Sequence, residues 1–405
     1  MEKQQTAKPV IRFPEFTDHW NNTKLSELLK EAKKRNGDLK YSKDEVLSVS
    51  GEMGIVNQIE HLGRSYAGVS VHQYHVVEVG DIVYTKSPLK ANPYGIIKQN
   101  KKKAGIVSTL YAVYNVKEEN AHGEFIEHYF SLDENTNRYL RPLVKKGAKN
   151  DMKISNAYVL HDKIFVPSVP EQKKITLFLN TLDKKIDQLK QKKSLLEEYK
   201  KAIMQQIFSQ KLRFKDDNGK EFSNWSKKKL SEKAKFFSGG TPLTTKKDFY
   251  IGNIPFIKSG EINKDKTEQF ISEKGLQSSS AKMVEIGDLL YALYGATSGE
   301  VSISKINGAV NQAILCIRSE IFNKLYLLNY LQFHKGEIVE KYIQGGQGNL
   351  SADIVKKLLI PFPCTKEQEK IANFLSTIDD KITRTQTQIE QTQLYKKGLL
   401  QKMFV

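Results

Sequence analysis

The chain has 405 residues, 39% hydrophobic and 27% charged, with 64 Lys+Arg against 46 Asp+Glu for a formal charge of +18. That length suits two or three domains, and the composition is that of an ordinary folded protein rather than a disordered or fibrous one. No apolar run approaches the ~20 residues of a bilayer span, no apolar leader is visible, and Cys316 and Cys364 form neither a CxxC pair nor a Cys/His cluster. A cytoplasmic location is therefore expected. The basic excess points to a polyanionic partner, because a positive surface gains entropy by displacing phosphate counterions. The alternative is a soluble protein that merely happens to be basic.

In chain order, the first 160 residues read as short strands, turns and a few helices. YGIIK (94–98) and AGIVSTLYAVYNV (104–116) are β-branched or aromatic runs, and GEFIEHYFSL (123–132) is apolar at helical spacing. Pro167 and Pro170 mark an entry turn, and the stretch from Glu171 to Phe208 then lacks both Pro and Gly. In that stretch Leu179, Leu182, Ile186, Leu189, Leu196, Ile203 and Ile207 follow alternating three- and four-residue steps once Lys193 and Lys200 join the seam. At 1.5 Å per residue the helix is a rod of roughly 57 Å. The polar stretch 210–224, with the turn pair Asn218-Gly219, reads as a linker.

The remainder repeats this plan. GNIPFIKSG (252–260), GDLLYALYG (287–295) and GAVNQAILCIRS (308–319) read as strands, and IFNKLYLLNYLQFH (321–334) as a helix. After Pro361 and Pro363 a second long helix carries Leu375, Ile378, Ile382, Ile389, Leu399 and Met403 on its seam. Residues 164–208 align without a gap on 360–404 at one offset of 196, with 17 identities in 45 positions, where chance gives roughly two or three. Glu171/Glu367, Gln172/Gln368, Asp183/Asp379 and Lys200/Lys396 are among the matches. Upstream, VEVGD (77–81) echoes VEIGD (284–288), and Arg12-Phe13 with Trp20 echoes Arg213-Phe214 with Trp225. The expected fold class is α+β. It comprises two pseudo-repeated α/β domains, each followed by a long helix, with the two helices packed as an antiparallel coiled coil. Each helix packing on its own globular domain is the alternative. The expected segments are 1–160, 161–209, 210–224, 225–357 and 358–405.

Catalytic signatures are missing. There is no Walker A, GxSxG or HExxH pattern, and no GxGxxG after a strand. Asn92-Pro93-Tyr94 lacks the second proline of an amino-methyltransferase motif and reads as a turn. Glu198-Tyr199-Lys200 lies in the helical segment, where outer-face charges are expected, and His72 with His75 reads as surface or core.

VPSVPEQKKI (166–175) and PFPCTKEQEKI (361–371) resemble the conserved regions of specificity (S) subunits of Type I restriction–modification systems. SGGTP (238–242), IPFIKSGEI (254–262), GDLLYALYGATSG (287–299), AVNQAIL (309–315) and GGQGNLS (345–351) resemble one class of their target-recognition domains, and GDIVYTKSP (80–88) and AGIVSTLYAVY (104–114) another. The first unit departs from the pattern at 147–155, which reads GAKNDMKIS. The resemblance implies a non-catalytic chain in which each domain reads one half of a bipartite double-stranded DNA site. It further implies that the paired helices space the domains, and that two methyltransferase (M) and two restriction-motor (R) subunits assemble on the chain. S-adenosylmethionine, ATP and Mg would belong to those partners, with no cofactor or metal on this chain. A repeat-built protein scaffold that reads no DNA and a standalone DNA-modifying enzyme are the rival classes.

Base and phosphate contacts need polar or cationic side chains on loops. In the first domain the candidates are Lys86, Ser87, Tyr94, Lys98, Lys101, Lys102, Lys103, Lys145, Lys146, Lys149 and Asn150. The block Lys101–Lys103 reads equally as a solvated turn. In the second domain they are Thr241, Thr244, Lys246, Lys247, Lys258, Ser259, Tyr294, Thr297, Ser298, Gln347 and Asn349, with Gly345, Gly346 and Gly348 allowing close backbone approach.

Overall fold

The structure is a computed structural model that describes residues 6–68, 70–89, 92–146, 152–343 and 349–405. Two compact units divide it: Met1–Leu189 with Thr387–Val405, and Lys190–Gln386. The division falls within each long helix rather than at the polar stretch 210–224.

In the amino-terminal unit, strands Leu29–Glu31, Tyr111–Val116, Ile82–Thr85 and Ile97–Gln99 form a sheet in that order, antiparallel throughout. His75–Val77 pairs with Gly105–Val107. The run 104–116 is thus two strands broken by a turn at Ser108–Leu110. Helix Gly123–Phe130 covers the sheet and buries Phe125, Ile126, Tyr129 and Phe130. Trp20 and Phe125 pack edge-on, and Phe404, from the last turn of the chain, meets both rings. Leu179 of the first long helix and Leu399, Leu400 and Met403 of the second join this core.

The carboxy-terminal unit has its own sheets and core. Strands Ala234–Ser238, Ile314–Ser319, Leu289–Ala292 and Val301–Ile303 form one sheet. A second sheet runs Phe270–Ile271, Ile254–Ile257, Gly308–Val310, Lys282–Val284, with Ile254–Ile257 parallel to Gly308–Val310. Here Met204, Ile207 and Phe208, at the end of the first long helix, enter the core beside Tyr326, Leu375 and Ile378.

The long helices run Val169–Phe208 and Thr365–Met403. Pro170 sits inside the first turn of the former, where its missing N–H costs nothing, rather than before it. Leu179, Ile186, Leu189, Leu375, Ile378, Ile389 and Leu399 are buried, and Leu182, Leu196, Ile203 and Ile382 are half-buried.

The repeated Glu-Gln pair anchors both helices. Glu171 accepts a fork of two 2.7 Å bonds from Arg12 and a 3.3 Å bond from the Trp20 indole. Glu367 accepts the same fork from Arg213, at 3.1 and 2.8 Å, and a 2.8 Å bond from Trp225. Gln172 accepts from the His122 N–H and donates to Pro167 O, as Gln368 does with Asn323 and Pro363. The stretch after Phe208 is also tied down: Arg213 holds Glu367, and Asp217 lies 2.7 Å from Lys370.

Candidate nucleic-acid interface

In the carboxy-terminal unit, strand ends bring separate loops to one place. Ser238 pairs with Leu315, and Ala292 with Ile314, so the loops after Ser238, after Ala292 and before Ile314 share one end of the sheet. In the second sheet Lys258 and Asn311 follow the parallel partners Ile257 and Val310, at that same end. A Cβ on Gly239 would lie 1.7 Å from Val310 O, and one on Gly240 2.0 Å from Ser280 Oγ, so this close approach requires glycine. Thr241 then donates a 2.7 Å bond to Gln312 Oε1. Leu293 N–H bonds Ala313 O, and Leu350 N–H bonds Leu293 O, which sets Tyr294–Gly299 beside Asn349. Ser298 Oγ donates to Leu293 O and shapes that loop.

Thr241, Lys258, Ser259, Tyr294, Thr297, Ser298 and Asn349 therefore collect on one rim. Lys246 stacks over Phe249, 5.2 Å from its ring centre, at the turn entered by Lys247. That turn is tied to the rim by Tyr250 Oη donating to Pro242 O. Thr244 is exposed on the same loop. Gln347 and the glycines 345, 346 and 348 lie outside the described residues. Gln312 is the rim residue that sequence reading missed. It sits inside GAVNQAILCIRS, an apparently continuous strand, which the structure breaks at Asn311–Ala313.

The amino-terminal unit has a corresponding rim. Lys86 and Ser87 follow strand Ile82–Thr85, and Lys86 N–H bonds Leu110 O of the opposing turn. The Lys86 ammonium is held by Asn156 Oδ1, Asn156 Nδ2 donates 2.9 Å to Glu31, and Tyr114 Oη donates to Asn156 O. Burial lowers the Lys86 pKa, partly offset by Glu31. Next to it, burial and then the charges of Arg35 and Lys86 push His75 down to about 4, so its ring is neutral, and its Nδ1 has no partner among the described residues. Arg35 is exposed beside His75 and donates 3.1 Å to Gln73 O. Neither Arg35 nor Asn156 was singled out in the sequence.

Other candidates of this unit lie elsewhere. Tyr94 packs against the core, and its carbonyl accepts from Tyr84. Ile82 pairs with Gln99, so Lys101, Lys102 and Lys103 follow at the end of the sheet opposite Lys86. Lys101 lies 2.7 Å from Glu127 and 3.7 Å from Glu124, and Lys103 3.6 Å from Glu60. Lys98 is half-buried, and burial lowers its pKa. Lys145 is exposed on the short strand Lys145–Lys146; Lys146 is placed only by that strand. Lys149 and Asn150 lie outside the described residues.

Residues 222–393 match a family model described as the Type I restriction modification DNA specificity domain. The Type I restriction enzyme MjaIX specificity subunit of Methanocaldococcus jannaschii is 28% identical over 201 residues, 47% of this chain and 46% of that protein. A putative type I restriction enzyme MjaX specificity subunit of the same organism is 25% identical over 272 residues, 64% of this chain and 62% of that protein. The chain thus matches about half to three-fifths of the length of these curated relatives. In fold, it resembles the crystal structure of a Type-I restriction-modification system S subunit from M. genitalium, with a TM-score of 0.59 at 12% identity over 98% of this chain and 99% of that one. No helix among the described residues is long and apolar enough to cross a membrane.

Proposed function

We propose, on the premise that the chain belongs to the specificity subunits of Type I restriction–modification systems, that it reads a bipartite double-stranded DNA site, one part per unit. The observation that carries this reading is the repeated rim: in each unit, polar loops from distant sequence meet at one end of a sheet. Hydroxyl, amide and ammonium groups there match the hydrogen-bonding edges of bases, and the surplus of lysine supplies the phosphate attraction. Gln312, oriented by Thr241, keeps its amide Nε2 available, and an amide of this kind pairs well with adenine.

The long helices serve in this reading as an antiparallel spacer. Two ion pairs related by the repeat support it: Lys396 with Asp183, and Lys200 with Asp379 at 2.7 Å. As the residue number rises along one helix, its partner's number falls. The outer faces of this spacer would dock two methyltransferase subunits, and two restriction-motor subunits would join them. S-adenosylmethionine, ATP and Mg would be bound by those partners, and the chain itself would contribute recognition rather than catalysis.

The test is anisotropy of labelled duplex carrying the site, titrated with the chain assembled on its methyltransferase partners. Affinity should fall by about a thousandfold or more between 50 and 200 mM salt if six or more phosphates are neutralised. Affinity that stays flat over that range contradicts DNA reading and favours a scaffold that joins proteins.

A further inference from the structure

The echoed motifs VEVGD and VEIGD build the same turn in both units, and the two copies are completed differently. Gly80 and Gly287 both have φ of 97°. Asp81 accepts the Glu78 N–H at 2.8 Å, and Asp288 accepts the Glu285 N–H at 2.9 Å. On the neighbouring strand the position that faces the aspartate is Asn115 in one unit and Arg318 in the other, one step beyond the pairs Tyr114/Ile82 and Ile317/Leu289. Arg318 grips Asp288 with a fork, Nε at 2.8 Å and Nη2 at 2.6 Å. Asn115 gives Asp81 a single amide bond of 2.7 Å.

A second replacement reinforces the first. The backbone N–H groups of His122 and Asn323 hold equivalent places against Gln172 and Gln368. The next residue is Gly123 in one unit and Lys324 in the other. The Lys324 ammonium reaches back to Gly287 O at 2.7 Å. The carboxy-terminal unit therefore fills the space before its aspartate with two cations of its own. The amino-terminal unit has an asparagine and a glycine there, the neutral Gln99 amide donates to Gly80 O at 2.9 Å in place of the ammonium, and a cleft of about 730 Å3 opens beside Asp81.

The walls of that cleft are rich in acceptors. Glu118 and Glu124 line it, together with His122, whose Nδ1 has no partner among the described residues. Burial, the largest effect, lowers the His122 pKa. The cations on the wall are Lys101, which Glu127 holds at 2.7 Å, and the exposed Lys173. Asp81 is buried, and burial raises its pKa above the ordinary value against the pull of its hydrogen bonds. At Asp288 burial acts in the same direction, but the Arg318 hydrogen bonds outweigh it and the pKa is lowered. Asp81 thus has only neutral hydrogen-bond donors and the pull of Lys34, where its repeat partner is gripped directly by a guanidinium.

We propose that the cleft bounded by Asp81, Asn115, His122 and Gly123 is a binding site for a guanidinium group supplied from outside the chain, in the place that Arg318 occupies in the other unit. A guanidinium matches a carboxylate in fork geometry, and its remaining N–H groups suit the Glu118 carboxylate and the His122 ring nitrogen. The site is independent of base reading, since it is built at the end of the sheet opposite Lys86.

Isothermal titration of the full chain with L-arginine amide, beside its neutral isostere L-citrulline amide, tests this. Saturable binding of the arginine compound alone is expected. Asp81→Asn should weaken it at least tenfold. Asn115→Arg should abolish it by filling the cleft from within, while the variant melts no lower than the wild type. Equal binding of both amides, no saturable binding of either, or arginine binding that survives Asn115→Arg in a folded variant overturns the proposal. Repeating the titration on the chain assembled with its methyltransferase subunits separates the two sources of the group. Binding lost there identifies a partner's arginine, and binding retained identifies a free guanidinium compound.

Discussion

Replacing residues 225–355 with the corresponding segment of a relative is expected to change one half of the methylated sequence and leave the other half and the gap between them unaltered. The rim of the carboxy-terminal unit is built only from loops inside that segment, from Thr241 to Asn349. The groups that would anchor the helices, Glu171 with Arg12 and Glu367 with Arg213, lie outside it. Lengthening both helices together, near Lys193 and Gln388, should instead alter the gap and keep both halves, because each added residue extends a helix by about 1.5 Å. Mapping of methylated adenines in cells carrying each variant checks both outcomes. If the exchange altered both halves together, the two rims would be reading one composite surface and the modular reading would be wrong.

Arg213→Ala is expected to be the most destabilising arginine substitution in the carboxy-terminal unit, with Arg12→Ala its equivalent in the other. The Glu367 side chain is 0% exposed and Glu171 1% exposed. Removal of the guanidinium leaves a buried carboxylate without its counter-charge, which costs about 3–5 kcal/mol. Arg213→Lys should recover part of the loss, since it restores charge but not the fork. Urea unfolding followed by circular dichroism measures this. A change within about 0.5 kcal/mol, the range of an ordinary surface substitution, would mean that the fork is not a stabilising clamp.

The repeat was legible because its signature is dense in one stretch: 17 of 45 positions match at one offset. Helical period alone places Leu179 and Ile186 on one face of the first long helix and Leu375 and Ile389 on one face of the second; all four are buried, Leu179 and Leu375 in the cores of their units. Which core receives each helix end was not legible. Phe404 packs on Trp20 and Phe125, and Phe208 on Tyr326, through contacts far apart in sequence. Glu171 and Glu367 were visible as matched residues without a task, because Arg12 lies 159 positions away and Arg213 154.

The rims were partly legible for the same reason. Residue type identified Lys86, Thr241, Tyr294 and Asn349 as loop groups, and left Lys101–Lys103 open between a contact and a solvated turn. Strand pairing separates them from Lys86, because the register Ile82 with Gln99 carries those lysines to the far end of the sheet. Gln312 was hidden inside a run that reads as one continuous strand, and the break between Val310 and Ile314 frees it. Asn156 carried no signal of its own, because its bond to Lys86 is a contact across 70 positions.

The central claim, that this chain confers sequence specificity on DNA, is tested most directly by comparing adenine methylation across the genome in three strains: with the gene, with the gene deleted, and with the gene restored. Methylation at one two-part sequence should vanish on deletion and return on restoration, with every other methylated sequence unchanged. An identical methylation pattern in the three strains, with the methyltransferase partner present and active, would contradict the claim.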